Sequence, residues 1–247
     1  MSVMKVHILR CGTVRLATGR SPFTSRVALP VWCWLIEHPT QGLLLVDTGL
    51  GTQPLGPFLT WHYRCEPGPS ITEQLQQRGI APEELDAVIL SDLDIDHTGG
   101  IHEVCDAKRF MVSEEEYFWT PRTVFAIYQP RSLWENDVKL EAYYLRAVPW
   151  APARYALDLF GDGSVVSVLT KGHTFGCCTT MLTWNGKKLL LAGNAVRNGR
   201  TLEDDRVYHR SEQEKTVRWL RETIGEANCL GVLATHDPEE CERVIEL

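Results

Sequence analysis

The hydrophobic and polar positions in the first third of the chain predict a β-hairpin. Residues 31–36 (VWCWLI) form a β-branched and aromatic run, and residues 42–46 (GLLLV) form a second one. The residues between them, EHPTQ, are typical of a turn. The second run leads into Asp47-Thr48-Gly49, so we expect Asp47 at the end of a strand.

A short helix and a buried strand follow. Ser70 and Glu73 have the spacing of a capping box, in which two side chains bond reciprocally to the first backbone N–H groups of a helix. The apolar spacing behind them predicts a helix that stops at Gly79. Residues 86–90 (DAVIL) form a continuous apolar run, which predicts a buried strand leading directly into residues 91–100, SDLDIDHTGG.

The pattern changes over residues 110–160, which are rich in aromatic side chains with prolines interspersed. We predict short helices and loops here that fold over a substrate pocket as a lid, rather than a regular layer of the core. The same aromatic side chains are also compatible with core positions or with the surface of a homodimer.

Strand patterns resume after this segment and alternate with one more helix. Predicted strands cover residues 164–169, 179–184, 188–192 and 229–234, with the Asn185-Gly186 turn signal between the second and third. Ser211 and Glu214 form a second capping box before an amphipathic helix. Two mixed halves of strands and helices, stacked as layers, are expected.

Composition narrows the classes of protein. The chain has 247 residues, a formal net charge of −7 and 44% hydrophobic residues, which indicates one domain over residues 1–247 with a sizeable core. A chain with this excess of acidic residues is not expected to have the basic surface that binds nucleic acids or anionic membranes, so neither partner is expected. No stretch resembles an export signal or a membrane span. We therefore expect a cytoplasmic protein whose eight cysteines are reduced.

Acidic, amide and histidine residues recur directly after the predicted strands. They are Asp47, then Asp92, Asp94, Asp96 and His97, then His173, Asn194 and His236. Strand ends present side chains to a common edge of a sheet, so these separate segments are expected to share one pocket.

The central cluster favours a metal site. Asp92, Asp94 and Asp96 alternate in the sequence, and three nearby carboxylates repel one another unless a cation lies between them or some are protonated. A solvated acidic loop that caps a helix is the alternative, although Leu93 and Ile95 argue against free solvation. His173 and His236, each taken alone, are in settings where a histidine is more often structural than a ligand.

Together these segments resemble the metallo-β-lactamase superfamily, and within it the N-acyl homoserine lactone lactonases. The resemblance rests on DTG at residues 47–49, DLDIDHTGG at 92–100 in place of HxHxDHxGG, GHTFG at 172–176, Gly193-Asn194, and the final strand before His236. It implies an α/β fold, a four-layer αββα sandwich of two mixed β-sheets, with a two-metal site along one edge.

The resemblance also implies roles for individual residues. Asp92, Asp94 and His173 would bind a first ion, whereas Asp96, His97 and His236 would bind a second. Asn194 stands where the family has an aspartate that bridges both ions. Asp96 and Arg197 are the catalytic candidates, Arg197 because it lies near the position of a tyrosine that assists the substrate carbonyl in lactonases. A solvent-exposed Arg197 without a role is the alternative.

Departures from the family pattern affect the metals. Two histidines of the usual motif are aspartates here, which makes the first site rich in oxygen ligands and suited to harder cations such as manganese or iron. The second site keeps an Asp/His/His set compatible with zinc or iron. Because Asn194 is a neutral ligand, either one or two divalent ions are expected.

The sequence therefore predicts a metal-dependent hydrolase of an ester, lactone or thioester in a partly apolar small molecule. A catalytically silent relative that binds a metal or ligand is the alternative. Redox chemistry is a third hypothesis, because carboxylate-containing forms of the motif resemble di-iron members of the superfamily. Those members use a flavin domain, for which this chain has no room.

Overall fold

Two β-sheets packed face to face form the centre of the molecule. The computed structural model describes residues 2–17, 26–53, 68–119, 135–197, 202 and 211–247. Within these ranges, thirteen strands divide into a seven-stranded and a six-stranded sheet.

The first sheet has the strand order β13-β1-β2-β3-β4-β5-β6. Its strands are β1 (Lys5–Ala17), β2 (Arg26–His38), β3 (Gly42–Val46), β4 (Leu85–Ile89), β5 (Phe110–Ser113), β6 (Leu140–Tyr143) and β13 (Val244–Glu246). β13, β1, β2 and β3 pair antiparallel, while β3, β4, β5 and β6 run parallel. The sheet is therefore mixed.

The second sheet has the order β12-β11-β10-β9-β8-β7. Its strands are β7 (Arg146–Ala147), β8 (Tyr155–Asp158), β9 (Val165–Leu169), β10 (Cys178–Trp184), β11 (Lys187–Gly193) and β12 (Cys229–Ala234). β11 and β12 are parallel and the remaining pairs are antiparallel. As a result β9, β11 and β12 all end at the same edge of this sheet.

Helices cover the outer face of each sheet. Among the described residues, the α-helices are α1 (Ile71–Gln76), α2 (Ile95–Thr98) and α3 (Ser211–Ile224), and other helical turns cover Pro82–Glu84, Ile101–Val104 and Glu115–Trp119. None of the described helices is both long enough and apolar enough to cross a membrane.

Alternating side chains along the strands build the layers of the core. Ile36 and Val46 face the second sheet and meet Leu182 from β10 in one buried cluster. Their neighbours Leu35 and Leu45 point the other way and pack against α1. Behind the second sheet, buried residues of β9 and β11 pack against Val217 and Leu220 of α3. This order of layers confirms the predicted αββα sandwich.

Most of the predicted elements are present. β3 and β12 have the bounds that the apolar runs indicate, and β2 pairs antiparallel with β3 as a hairpin. The capping box at α1 is formed by both of its side-chain bonds, between Ser70 and Glu73. Asn185 and Gly186 have positive φ angles, as a tight hairpin turn requires.

The expectation for residues 110–160 was wrong in one respect. β5, β6, β7 and β8 lie in this segment and belong to the two sheets, so its two ends are regular core layers. Each of these strands has four residues or fewer, which is too short for an alternation of hydrophobic and polar residues to identify it as a strand. Residues 120–134 lie outside the described residues, and a role as a pocket lid stays a prediction.

Candidate metal centre

Loops from both sheets meet at one edge of the sandwich. Asp47 follows β3, residues 92–97 follow β4 and begin α2, and His173 follows β9. Asn194 and His236 follow the parallel strands β11 and β12. Because these strands all end at this edge, the polar residues converge there as the sequence predicts.

Asp92, Asp94 and His173 form the first group of candidate metal ligands. One ligand atom from each lies within 4.8 Å of the other two. His173 Nε2 is 3.0 Å from Asp94 Oδ2, and the Asp94 backbone N–H donates to Asp92 Oδ1 at 3.0 Å. Within the part of the chain that the structure describes, Asp92 Oδ2 is buried and has no hydrogen-bond partner.

Asp96, His97 and His236 form the second group, with the same 4.8 Å limit on their separation. His236 Nε2 lies 2.9 Å from Asp96 Oδ2, and His97 Nε2 lies 3.8 Å from the same oxygen. All three side chains are buried. A carboxylate and two imidazoles at this spacing are a donor set that zinc or iron accepts.

Both histidines of the second group are held through Nδ1, so that Nε2 faces the other ligands. His97 Nδ1 is 2.8 Å from Asp47 Oδ2, and His236 Nδ1 is 2.8 Å from the backbone oxygen of Pro30. Donation from Nδ1 leaves the Nε2 lone pair for a cation. Partners of this kind orient metal-binding histidines and fix their tautomer.

Asp47 is itself fixed in place. Its Oδ1 accepts the backbone N–H of Ser91 at 2.8 Å, and its Oδ2 accepts the Ser91 hydroxyl at 2.8 Å. The backbone of Asp47 has a φ of 61°, which is uncommon outside glycine and turns the side chain toward His97. The sequence placed Asp47 at the shared edge but gave no sign of this contact.

Asn194 lies between the two groups. Its Nδ2 is 2.7 Å from His97 Nε2 and 3.2 Å from His173 Nε2. Its neutral amide is therefore within hydrogen-bond distance of one histidine from each group, and a bridging role for residue 194 stays a prediction. Arg197, three residues further on, has an exposed side chain.

Carboxyl groups and imidazoles lie close together in the pocket, and their pKa values reflect it. Burial, together with the charge of Asp94, raises the pKa of Asp92 to about 8 despite the opposing effect of His97. Burial also disfavours charge on His173, but the bond to Asp94 and the nearby carboxylates outweigh it and raise its pKa to about 9. Carboxylates raise the pKa of His97 in the same way.

Asp96 has the opposite shift. Burial works to raise the pKa of its carboxyl group, but His97 and the hydrogen-bonded His236 outweigh burial and hold the pKa well below its usual value. Asp96 is thus ionised over the whole physiological range. A pocket that combines ionised carboxylates with buried imidazoles favours a cation at its centre.

The sequence did not identify Glu116 as part of the site. Its buried carboxylate accepts hydrogen bonds from the Leu93 backbone N–H at 3.1 Å and from the Thr174 hydroxyl at 2.7 Å. It thereby joins the loop of Asp92 and Asp94 to the loop of His173. Glu116 lies in the turn Glu115–Trp119 after β5, within the aromatic-rich segment, where no motif pointed to it.

Comparison with known proteins agrees with this fold. A family model described as the Metallo-beta-lactamase superfamily matches residues 26–226. A probable metallo-hydrolase of Mycobacterium tuberculosis is 28% identical over 251 residues, covering 96% of this chain and 78% of the relative. The N-acyl homoserine lactonase AttM of Agrobacterium fabrum is 24% identical over 260 residues, covering 97% of this chain and 95% of the relative.

A solved structure shares the architecture. An N-acyl homoserine lactone hydrolase, with the product N-hexanoyl-L-homoserine bound at its catalytic metal centre, superimposes with a TM-score of 0.74 at 20% identity. The match covers 97% of this chain and 95% of that structure. At this identity the likeness concerns the fold.

Proposed function

This chain belongs to the metallo-beta-lactamase superfamily, and we propose that it is a metal-dependent hydrolase whose ions are bound by the two groups of buried side chains. The observation that carries the proposal is Asp92 Oδ2, a buried carboxylate oxygen without a hydrogen-bond partner among the described residues. His97 Nε2 is 3.6 Å from it, too far for a hydrogen bond, and leaving such an oxygen without one costs on the order of 1–3 kcal/mol or more. A cation between Asp92, Asp94 and His173 would satisfy it.

The residues present fit divalent ions at both groups. Two carboxylates and one imidazole in the first group suit manganese or iron, whereas the second group also suits zinc. Bound ions in such sites supply a nucleophilic hydroxide near neutral pH and polarise the scissile carbonyl. Asn194, between the groups, would be a weak ligand to one ion, so one or two ions per chain are proposed.

Asp96 and Arg197 are the proposed catalytic residues. Asp96 is buried against His236, and its ionised carboxylate would hold an ion together with His97 and His236. The exposed guanidinium of Arg197 follows Asn194 on the same loop and would bind an anionic or oxyanionic group of the substrate. If Arg197 is instead a solvent-exposed residue without a role in the reaction, the Arg197→Ala variant should hydrolyse substrate as fast as wild type.

A partly apolar ester, lactone or thioester is the proposed substrate. Support comes from the lactonase relatives and from two exposed aromatic side chains that lie two residues from His173 and Glu116 in the sequence. Phe175, two residues after His173, is 53% exposed, and Phe118, two residues after Glu116, is 43% exposed. Exposed aromatic rings next to polar ligands are typical of small-molecule sites. We also propose that part of 110–160 covers this pocket.

The test is hydrolysis by protein loaded separately with zinc, manganese and iron. A panel of lactones, thioesters and aryl esters of increasing chain length should include substrates that the wild type hydrolyses. His236→Ala and chelator treatment should abolish that turnover, while Arg197→Ala should lower it. Absence of turnover on every substrate with every metal, in protein shown to bind the ions, would contradict the proposal.

The alternative of a catalytically silent, metal-binding or ligand-binding relative is favoured by Asn194. Its Nδ2 lies 2.7 Å from His97 Nε2 and 3.2 Å from His173 Nε2, an arrangement that links the two groups by an amide rather than by a carboxylate. Bound metal without turnover would support this alternative. A cytoplasmic location, a homodimer and the lack of nucleic-acid or membrane partners stay predictions.

A further inference from the structure

Glu116 connects the two loops that carry the first group of ligands. Its Oε1 accepts the backbone N–H of Leu93, the residue between Asp92 and Asp94. Its Oε2 accepts the Thr174 hydroxyl at 2.7 Å and the Gly176 backbone N–H at 3.1 Å. One carboxylate thus bonds to the segments on either side of the 3.0 Å contact between Asp94 and His173.

The turn that carries Glu116 fits closely against the His173 loop. A Cβ atom on Gly176 would lie 2.0 Å from the Glu116 backbone nitrogen, so only glycine allows this approach. The Ser113 hydroxyl donates to the Gly176 carbonyl at 2.8 Å and accepts the Glu116 N–H at 3.1 Å. Glu116 therefore has little freedom to move without the loop.

Hydrogen-bond chemistry calls for the ionised side chain. All three of these partners are donors, namely two backbone N–H groups and a hydroxyl. A glutamine of the same shape would offer one acceptor oxygen and would place an NH₂ group against a donor. Because the site is buried, that mismatch cannot be relieved by water at low cost.

We infer that Glu116 is a positioning residue for the first group, one that binds no ion and sets the separation of the Asp92–Asp94 loop from His173. The inference rests on the proposed function, since it concerns the same metal centre. The effect is expected at the first group and not at the second. The contacts of Glu116 described above reach the loops of the first group, whereas His236 of the second group is held by the Pro30 carbonyl on β2.

The test is titration with cobalt(II), followed by calorimetry and visible absorption. His173→Ala and His236→Ala first identify which binding step belongs to each group. Glu116→Gln should then weaken the His173-dependent step by about 10–100-fold, the usual effect of losing a partner that orients a ligand. The His236-dependent step should change little, and cobalt(II) absorption should change only for the first group.

Thr174→Val is a milder variant, because it removes one of the three donors and keeps the side-chain shape. It should weaken the His173-dependent binding of cobalt(II) by a smaller factor than Glu116→Gln. If Glu116→Gln does not fold, this variant tests the positioning role of Glu116 instead. Glu141→Gln is the matched control, since Glu141 pairs with Arg109 at the surface. It should leave both steps unchanged.

Three outcomes would overturn the inference. A folded Glu116→Gln protein with unchanged affinity, equal weakening of both steps, or the absence of a His173-dependent step would each do so while leaving a metal-binding protein in place. Wild-type protein that binds no cobalt(II) at either group would instead remove the proposed function.

Discussion

At the scale of single residues, Asn194 decides how much negative charge lies between the two groups of ligands. Its amide nitrogen lies within 3.2 Å of both His97 Nε2 and His173 Nε2. An amide is neutral and binds cations weakly, whereas a carboxylate at the same point would bridge two ions. The identity of this one side chain should therefore control metal affinity.

Asn194→Asp should tighten binding of the second divalent ion by about tenfold or more, because it adds a negative charge in a partly buried position between the two groups. Zinc or manganese titration against a competing chelator measures the change. Asn136→Asp adds the same charge at an exposed position and is the matched control. Equal affinities for Asn194→Asp and wild type would show that residue 194 does not contact the ions.

At the scale of elements, the β2–β3 hairpin depends on a close approach at its turn. Gly42 has a φ of 78°, and a Cβ atom there would lie 1.9 Å from Asp86 Oδ2. The same carboxylate accepts the Leu43 N–H at 2.9 Å and the Lys108 ammonium at 2.6 Å. The turn and β4 are thus fixed together, which sets where Asp47 leaves β3.

Gly42→Ala should lower the free energy of unfolding by two separate effects. The left-handed backbone costs about 1–2 kcal/mol for alanine, and displacement of Asp86 removes hydrogen bonds worth about 1 kcal/mol more. Gly79→Ala is the matched control, because Gly79 has a φ of 69° with nothing within 4 Å of its Cβ position. Denaturant titration should show the larger loss for Gly42→Ala, and equal losses would contradict the close approach.

His38 at the end of β2 gives the hairpin a dependence on pH. The ring is buried, and its Nδ1 accepts the backbone N–H groups of Thr40 and Gln41. Burial lowers the pKa of His38 below its ordinary value of 6.5, against an opposing effect of Asp162. The folded protein therefore binds the proton less readily than the unfolded chain does.

Stability from His38 should be fully present above pH 6.5 and should fall as the pH drops below that value toward the lowered pKa. His38→Asn keeps an acceptor for the turn but has no group that titrates there. The free energy of unfolding should decline less between pH 7.5 and 5 in this variant than in wild type. Parallel pH profiles would show that His38 contributes nothing to the decline.

The elements that the sequence revealed are those with strong local signals. β3 and β12 are continuous apolar runs, and the reciprocal bonds of Ser70 and Glu73 mark the start of α1. β5, β6, β7 and β8 were missed because short strands depend on neighbours distant in sequence, such as the pairing of Phe110 with Leu140. Whether such a short segment forms a strand depends on its pairing and packing in the folded protein more than on the β-propensity of its residues.

At the scale of the whole molecule, the site exists because two sheets present their strand ends at one edge. Residues as far apart in sequence as Asp47 and His236 reach the same edge only after strands of both sheets have paired. Recurrence of polar residues after strands made their convergence at one edge predictable. The supporting contacts of Asp47 and Glu116 were not predictable, because they join segments through packing that leaves no motif.

The central claim is that this edge binds divalent metal. The direct measurement is metal content per chain, determined by elemental analysis of protein purified without chelator. Wild-type protein should contain about one or two divalent ions per chain, and an Asp96→Ala/His236→Ala variant should lose the ion of the second group. Wild-type protein that contains no ion, even after reconstitution with zinc, manganese and iron, would contradict the account.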